Sequence, residues 1–328
     1  MNDLPHTHPP HDAGGRFDGP VPRTEHEAAH WEKEADAIRM LLSDAKRRLF
    51  TTDESRRVQE QLDAETYWAM PYYERWILAF SSLLIEKGLV TEAAVRAEEQ
   101  RLRDAGLDVV EAHHNQHDDH GHDHDHDHEH HPYQQDHDAA EERLSPLRLR
   151  GVAMRNLLLA EGVLTAAEIR EEIARMDARS PHNGTAIVVR AWTDAAYAQR
   201  LAEDAVAAAA ELGLDAAGTK LAALFNTDTR HHLVVCTLCS CYPRSILGRP
   251  PAWYKSRAYR ARAVRDPRGI LAEFGTTLPP GVELRVHDSN AELRYLVVPK
   301  RPAGTEGWDA GRLAALVTRD GMIGVTEV

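Results

Sequence analysis

The chain has 328 residues, which suggests about two domains at ~100–200 residues each. With 39 Lys and Arg against 52 Asp and Glu, its net charge of −13 argues against nucleic acid or an anionic membrane as the main partner. The opening Met1-Asn-Asp-Leu-Pro-His-Thr-His-Pro-Pro10 has no basic-then-apolar leader, and no apolar run approaches the ~18 residues of a membrane span, so a cytoplasmic protein is expected.

Residues 1–23, rich in Pro, His and Gly, read as an extended arm. A helix is expected from Thr24, because Thr24-Glu-His-Glu27 fits a capping box and Trp31, Ala35, Ile38 and Leu41 follow at helical spacing. Further helices are expected over Asp53–Leu62 and Tyr72–Leu84, the latter stopped by Gly88, and then from Thr91 to Leu102. From Glu111 to Asp138 the chain is low-complexity and nearly free of apolar residues, with eleven of its 20 histidines between His113 and His137. Such a segment cannot offset its ordering entropy by burial, so it reads as a disordered linker between domains. Helices return over Pro146–Glu161, Thr165–Ala178, Asn183–Trp192 and Ala195–Leu212, with a second capping box at Thr165-Ala-Ala-Glu168. Leu83-Leu-Ile-Glu-Lys-Gly88 then Thr91 echoes Leu157-Leu-Leu-Ala-Glu-Gly162 then Thr165, a helix–Gly–capped-helix pattern used twice. Near His231 the pattern turns to strands. Leu233-Val-Val235 is a short apolar run, and Val282–His287 with Leu293–Val298 alternate around Asp288-Ser-Asn-Ala291 as a hairpin would. The expected fold class is α+β.

The only cysteines are Cys236, Cys239 and Cys241, within six residues. They are too close for a disulfide framework, and no second Cys pair completes a zinc site. His231 and His232 are carried away by the strand that enters the loop. Three soft thiolates on one tight loop suit a transition metal, and the backbone nitrogens between Cys239 and Cys241 are further ligands if deprotonated.

At these residues the sequence resembles the α subunit of nitrile hydratase. The likeness runs through Val235-Cys-Thr-Leu-Cys-Ser-Cys-Tyr-Pro243, Leu247-Gly-Arg-Pro-Pro-Ala-Trp-Tyr-Lys-Ser256, Asp288-Ser, Arg301–Trp308 and Val317–Gly324, and covers roughly residues 146–328. It implies a cobalt(III) centre held by Cys236, Cys239, Cys241 and the backbone nitrogens of Ser240 and Cys241. It further implies that Cys239 is a sulfinate and Cys241 a sulfenate, successive rungs of cysteine oxidation. Thr237 resembles the cobalt-type rather than the iron-type members. The first half resembles the N-terminal part of the β subunit, through His11-Asp-Ala-Gly-Gly-Arg16, Asp53-Glu-Ser-Arg56 and Pro71-Tyr-Tyr-Glu-Arg-Trp76. Here Arg56 matches an arginine that binds the oxidised cysteine oxygens, and Glu60, Tyr72 and Trp76 match residues near the active site. The implied organisation is a β-like helical domain at 1–110, a His/Asp-rich linker at 111–140 and an α-like catalytic domain at 141–328.

Two departures qualify the resemblance. No small β-barrel of the β-subunit type is present, so a barrel-bearing second subunit and a hetero-oligomer are expected. Arg244 follows Cys241-Tyr-Pro243 where nitrile hydratases commonly carry Trp, and this resembles thiocyanate hydrolase. The expected activity is hydration of a small nitrile to an amide, with Cys241, Arg56, Tyr72 and Arg244 as catalytic residues. Thiocyanate hydrolysis is the alternative. A non-enzymatic cobalt carrier is a second one, because the helical half also resembles small cobalt-delivering activator proteins.

Overall fold

The computed structural model describes residues 11–23, 27–110, 142–216 and 219–328. Thr24 and the histidine run, 111–141, lie outside the described residues. The first half folds into α1 (His30–Ser43), α2 (Thr52–Glu60), α3 (Ala64–Ala69), α4 (Tyr72–Glu86) and α5 (Glu92–Asp104), then β1 (Val109–Val110). The second half begins with β2 (Glu142–Arg143), α6 (Pro146–Ala160), α7 (Ala166–Asp177), α8 (Pro181–Thr193), α9 (Ala195–Glu203) and α10 (Ala205–Ala210). It continues through β3 (Lys220–Phe225), β4 (Arg230–Val235), α11 (Arg244–Leu247), α12 (Ala252–Lys255), α13 (Arg257–Arg262) and α14 (Pro267–Glu273). It closes with β5 (Glu283–Asp288), β6 (Leu293–Val298), α15 (Ala310–Ala314) and α16 (Arg319–Ile323). The architecture is mixed helix and sheet with a helical N-terminal region. Among the described residues no helix is long and apolar enough to cross a membrane.

Capping chemistry sets most helix starts. Thr51, Thr91 and Thr165 each accept a hydrogen bond from the backbone N–H three residues on, satisfying a donor the helix leaves orphaned. The first helix departs from expectation. It starts at His30, after the non-helical residues 27–29, and the Glu32 carboxylate accepts from the Ala29 N–H at 2.9 Å. The expected helix over Ala195–Leu212 is broken at Asp204, whose carboxylate accepts from Val206 N and Ala207 N and starts a new helix. The short α3 and the strand β3 carried no sequence signal strong enough to name them.

The repeated helix–Gly–helix pattern has one purpose. Gly88 and Gly162 adopt φ of +70° and +65°, a left-handed turn that glycine takes without a Cβ penalty. The resulting hairpins, α4–α5 and α6–α7, pack on each other and on α1. They share one core of Ile38, Leu42, Phe80, Leu84, Leu102, Met154, Leu158 and Ile169. That core therefore joins helices from both sides of the histidine run. The run's flanks are themselves paired, Val109 with Arg143 in an antiparallel bridge. Packing and composition thus divide the chain at different places: the second core takes Val21 from the N-terminal arm, resumes at α8 and holds the strands and the cysteines.

The expected hairpin does not form. β5 pairs in parallel with β4, and β6 pairs in parallel with β3. Asn290 explains the break. Its side-chain oxygen accepts from Glu292 N and Leu293 N, a local turn that redirects the chain into the neighbouring pair instead of folding it back. β4 is buried along nearly its whole length, as a parallel strand covered on both faces should be.

Candidate metal centre and active site

β4 delivers the cysteine loop. Val235 is its last residue and Cys236 follows directly, fully buried. The parallel register sets Val235 opposite Asp288, the last residue of β5. Asp288 thereby reaches the loop: its carboxylate accepts from Thr237 N at 3.0 Å and from Thr237 Oγ1 at 2.5 Å. Arg260 of α13, 1% exposed, grips the other side, donating to Cys236 O at 3.3 Å and Thr237 O at 2.8 Å. Tyr254 of α12 donates to Cys241 O at 2.8 Å. Arg260 and Tyr254 are buried and Asp288 is not; together their hydrogen bonds fix the loop from three sides.

The sulfurs converge. The three Sγ atoms lie within 4.8 Å of one another, with Cys236–Cys239 at 3.5 Å and Cys239–Cys241 at 3.2 Å. Two thiolates at right angles on one ion ~2.3 Å away would stand ~3.3 Å apart, so the spacing fits a common metal ion. The thiol of Cys239 sits well below its ordinary pKa. Hydrogen bonds from the Cys236 and Cys241 thiols are the main cause, and the Arg56 charge adds to them against burial. Cys236 is correspondingly pushed up to about 11 and Cys241 is raised. The lowered pKa of Cys239 favours its thiolate, the form in which a cysteine sulfur binds metal.

The helical half completes the site. Arg56 projects from α2 with Nη2 3.8 Å from Cys239 Sγ, while its Nη1 donates to Asp53 at 3.1 Å. Burial opposes its charge, but Cys239 and Cys241 outweigh burial and raise its pKa. Tyr72, at the start of α4, hydrogen-bonds through its hydroxyl to Ser240 Oγ. Its ring packs on Trp76 at 4.7 Å and carries the Lys255 ammonium at 4.6 Å. Arg244 opens α11 and points back across the site to Asp36 of α1. Nη1 donates to Asp36 Oδ1 at 3.1 Å and Nη2 bonds Oδ2.

A cavity of about 300 Å³ lies at this junction. Arg56, Tyr72, Trp76, Ser240, Cys241 and Arg244 all line it, as does Cys239. Cys236 is buried behind it, and Glu60 stands off the wall in contact with His11 Nε2 at 3.2 Å. His11, Lys255 and Asp288 stand within the family-like motifs without a role of their own, and Arg260 stands in none of them. Only the fold brings His11, Arg260 and Asp288 to the loop and Lys255 onto the ring of Tyr72.

Two family models cover the chain. That of "Nitrile hydratase, alpha chain" matches residues 145–326, and that of "Nitrile hydratase beta subunit, N-terminal" matches 8–136. The chain belongs to the nitrile hydratase family. The α-like half is 52% identical over 176 residues to the low-molecular weight cobalt-containing nitrile hydratase subunit alpha of Rhodococcus rhodochrous, covering 53% of this chain and 85% of that one. It is 42% identical over 196 residues to the thiocyanate hydrolase subunit gamma of Thiobacillus thioparus, covering 56% and 81%. A recombinant thiocyanate hydrolase comprising partially modified cobalt centres superposes with a TM-score of 0.54 at 40% identity, over 56% of this chain and 90% of that one. In this nitrile hydratase family member, segments that match an alpha chain and a beta subunit occur in a single polypeptide.

Proposed function

We propose that the chain adds water across a C≡N bond to give an amide, at a cobalt(III) centre held by Cys236, Cys239, Cys241 and the backbone nitrogens of Ser240 and Cys241. The convergence of three sulfurs beneath Arg56 carries this reading. When bound, the ion supplies Lewis acidity to a nitrile nitrogen or a water. The protein's own groups do the rest. Arg56 holds the oxygens of a Cys239 sulfinate and a Cys241 sulfenate through charge-assisted hydrogen bonds. Tyr72 fixes Ser240, and with it the amide geometry of the loop. Trp76 and Leu238 form apolar wall for the substrate. Arg244 is held by Asp36, so its charge is already matched and its work is to join the two halves.

One observation favours thiocyanate as the C≡N compound. Among the described residues, eight arginines and Lys220 line the cavity and no Asp or Glu does, although the chain carries net charge −13. Of these, Arg75, Arg179, Lys220, Arg260 and Arg294 have no ion-pair partner among the described residues. A cleft of one sign draws in anions. Thiocyanate, acrylonitrile and benzonitrile, assayed side by side with cobalt-loaded protein, test the reading. Amides from the neutral nitriles with thiocyanate inert support nitrile hydratase activity. The reverse supports the thiocyanate reading. Turnover of none, with cobalt passed to another protein, makes the chain a carrier.

A second subunit bearing a small β-barrel completes the proposal. The two matched segments are separated by only eight residues, 137–144, which leaves no room for a barrel between them. Co-purification from the native source would identify that partner. Full activity from this chain alone would remove the need for it.

A further inference from the structure

Of the eight arginines and Lys220 that line the cavity, six arginines are already committed. Arg39 and Arg244 share Asp36, Arg56 is held by Asp53 and Cys239, and Arg249 donates to Asp177. Arg75 and Arg260 are buried and lie over the rings of Tyr67 and Trp68. Arg179, Lys220 and Arg294 differ from all six. They have no ion-pair partner among the described residues, and they are accessible: Lys220 is exposed and the two arginines are half-buried.

The fold sets these three around the cysteine loop. β3 and β6 run parallel, with Leu221 opposite Arg294 and Lys220 opposite Leu293. Register partners share a face of the sheet, and Leu221 lines the cavity together with Arg294, so that face of the pair fronts it. Residues 289–292 join the end of β5 to the start of β6. Asp288, the last residue of β5, is bonded to Thr237 of the loop, so Lys220 and Arg294 stand at the sheet end that carries the sulfurs. Arg179 comes from the opposite wall, between α7 and α8. Its carbonyl backs onto Gly248, where a Cβ would stand 2.5 Å from it, and Gly248 ends the short helix that follows the cysteine loop.

Accessible like charges around one cavity repel one another, and they stand here in a chain whose acids outnumber its bases 52 to 39. An anion between them relieves that repulsion, and walls of one sign raise the local concentration of the opposite charge and speed its entry. We propose that Arg179, Lys220 and Arg294 are specificity-determining residues that make the site select C≡N compounds carrying a negative charge over neutral ones of similar shape. This rests on the C≡N hydration proposed above. Thiocyanate and a nitrile carboxylate share the recognised chemistry, a small anion with a terminal C≡N. The three residues act on encounter and binding, and the bond-making stays with the groups at the sulfurs.

Two matched pairs read the selection: cyanoacetate against cyanoacetamide, and thiocyanate against methyl thiocyanate. In cobalt-loaded protein, with the subunit that co-purifies, the charged member should have the higher kcat/KM. Its advantage should shrink between about 0.01 M and about 1 M salt, as the Debye length falls from about 30 Å to about 3 Å. Arg179→Gln, Lys220→Gln and Arg294→Gln together should lower the charged-to-neutral ratio of kcat/KM about tenfold at low salt, through KM more than kcat. Lys220→Glu alone, at an exposed position that folding tolerates, should lower the ratio in the same direction. A ratio that falls for both pairs, or for thiocyanate alone, supports the proposal and tells the two anions apart. A parental ratio in both variants overturns it, as does an equal loss for charged and neutral substrates. Turnover of none of the four by the parent counts against the hydration reading itself, and calorimetric titration with thiocyanate then decides the selection. An affinity about tenfold weaker in the triple variant at low salt supports it; equal affinities, or no binding to the parent, overturn it.

Discussion

Arg244, from the half that matches the alpha chain, grips the fully buried carboxylate of Asp36, from the half that matches the beta subunit. Both guanidinium nitrogens are used, in the forked geometry that arginine offers and lysine does not. Arg39 adds a second cation at 3.3 Å, and Trp76 lies beneath both arginines, 4.4 Å from Arg39 and 5.7 Å from Arg244. The junction of the two halves is thus also a wall of the metal cavity.

Removing Asp36 leaves two arginines facing each other without a counter-charge. Asp36→Ala should cost about 3–5 kcal/mol in urea unfolding, the usual result of breaking a buried pair from one side. Burial opposes the Asp36 charge, but Arg244 and Arg39 overcome it and hold the pKa below 3.8. A depressed carboxyl contributes stability above its unfolded pKa and loses it as pH falls through the folded one. The parent should therefore lose stability steeply below pH 3.8, and Asp36→Asn should flatten that slope. A slope equal to the parent's would show that Asp36 is not the group titrating.

Arg56 tests the proposed chemistry of the sulfurs. Arg56→Ala removes the only guanidinium hydrogen-bonded to Cys239 among the described residues. Turnover should fall about 10²-fold or more, as when one donor is taken from a charge-stabilising site. Arg56→Lys keeps the charge but not the fork, so it should recover only part of the loss. Peptide mass spectrometry of the parent should show two added oxygens on Cys239 and one on Cys241. Unmodified cysteines in an active preparation would contradict that assignment.

Asp288 sits one layer behind the ligands, bonded twice to Thr237. Asp288→Asn removes the charge and turns one of the two accepting oxygens into an NH2 donor. Groups in this position typically contribute 10–100-fold to metal affinity, so cobalt should be lost correspondingly faster to a chelator. Elemental analysis of the parent should find one cobalt per chain. Stoichiometric iron in its place, from cells supplied with both metals, would overturn the cobalt assignment.

The histidine run can be separated from the fold. Val109 is paired with Arg143, so the chain leaves and re-enters the helical core at one place. Replacing residues 111–141 by Asn-Gly, the dipeptide favoured in tight hairpins, should leave Tm within about 4 °C of the parent. Imidazoles alternating with Asp bind divalent cobalt, so occupancy should fall in the excised protein when cobalt is scarce. Equal occupancy at every cobalt concentration would leave the run a spacer.

The sequence by itself determined the local chemistry. Three cysteines within six residues announce a metal loop, and Thr91, Thr165, Gly88 and Gly162 mark helix ends, because capping and left-handed turns depend on a few neighbouring residues. It also placed Arg56, Tyr72 and Arg244 at the site, through likeness to a family. Tertiary structure decided what depends on distant partners. Both strands around Asp288 were legible, but their alternation is the same in a hairpin and in two parallel pairs, and only the register against β4 carries Asp288 to Thr237. The position of Arg244 was legible, but its pairing with Asp36, 208 positions earlier, exists only in the fold. The histidine run read as a division between domains, because composition reports only which residues cannot be buried. The helices on either side of it pack into one core, and it is the apolar faces of those helices, not the polar segment between them, that settle where a core begins and ends.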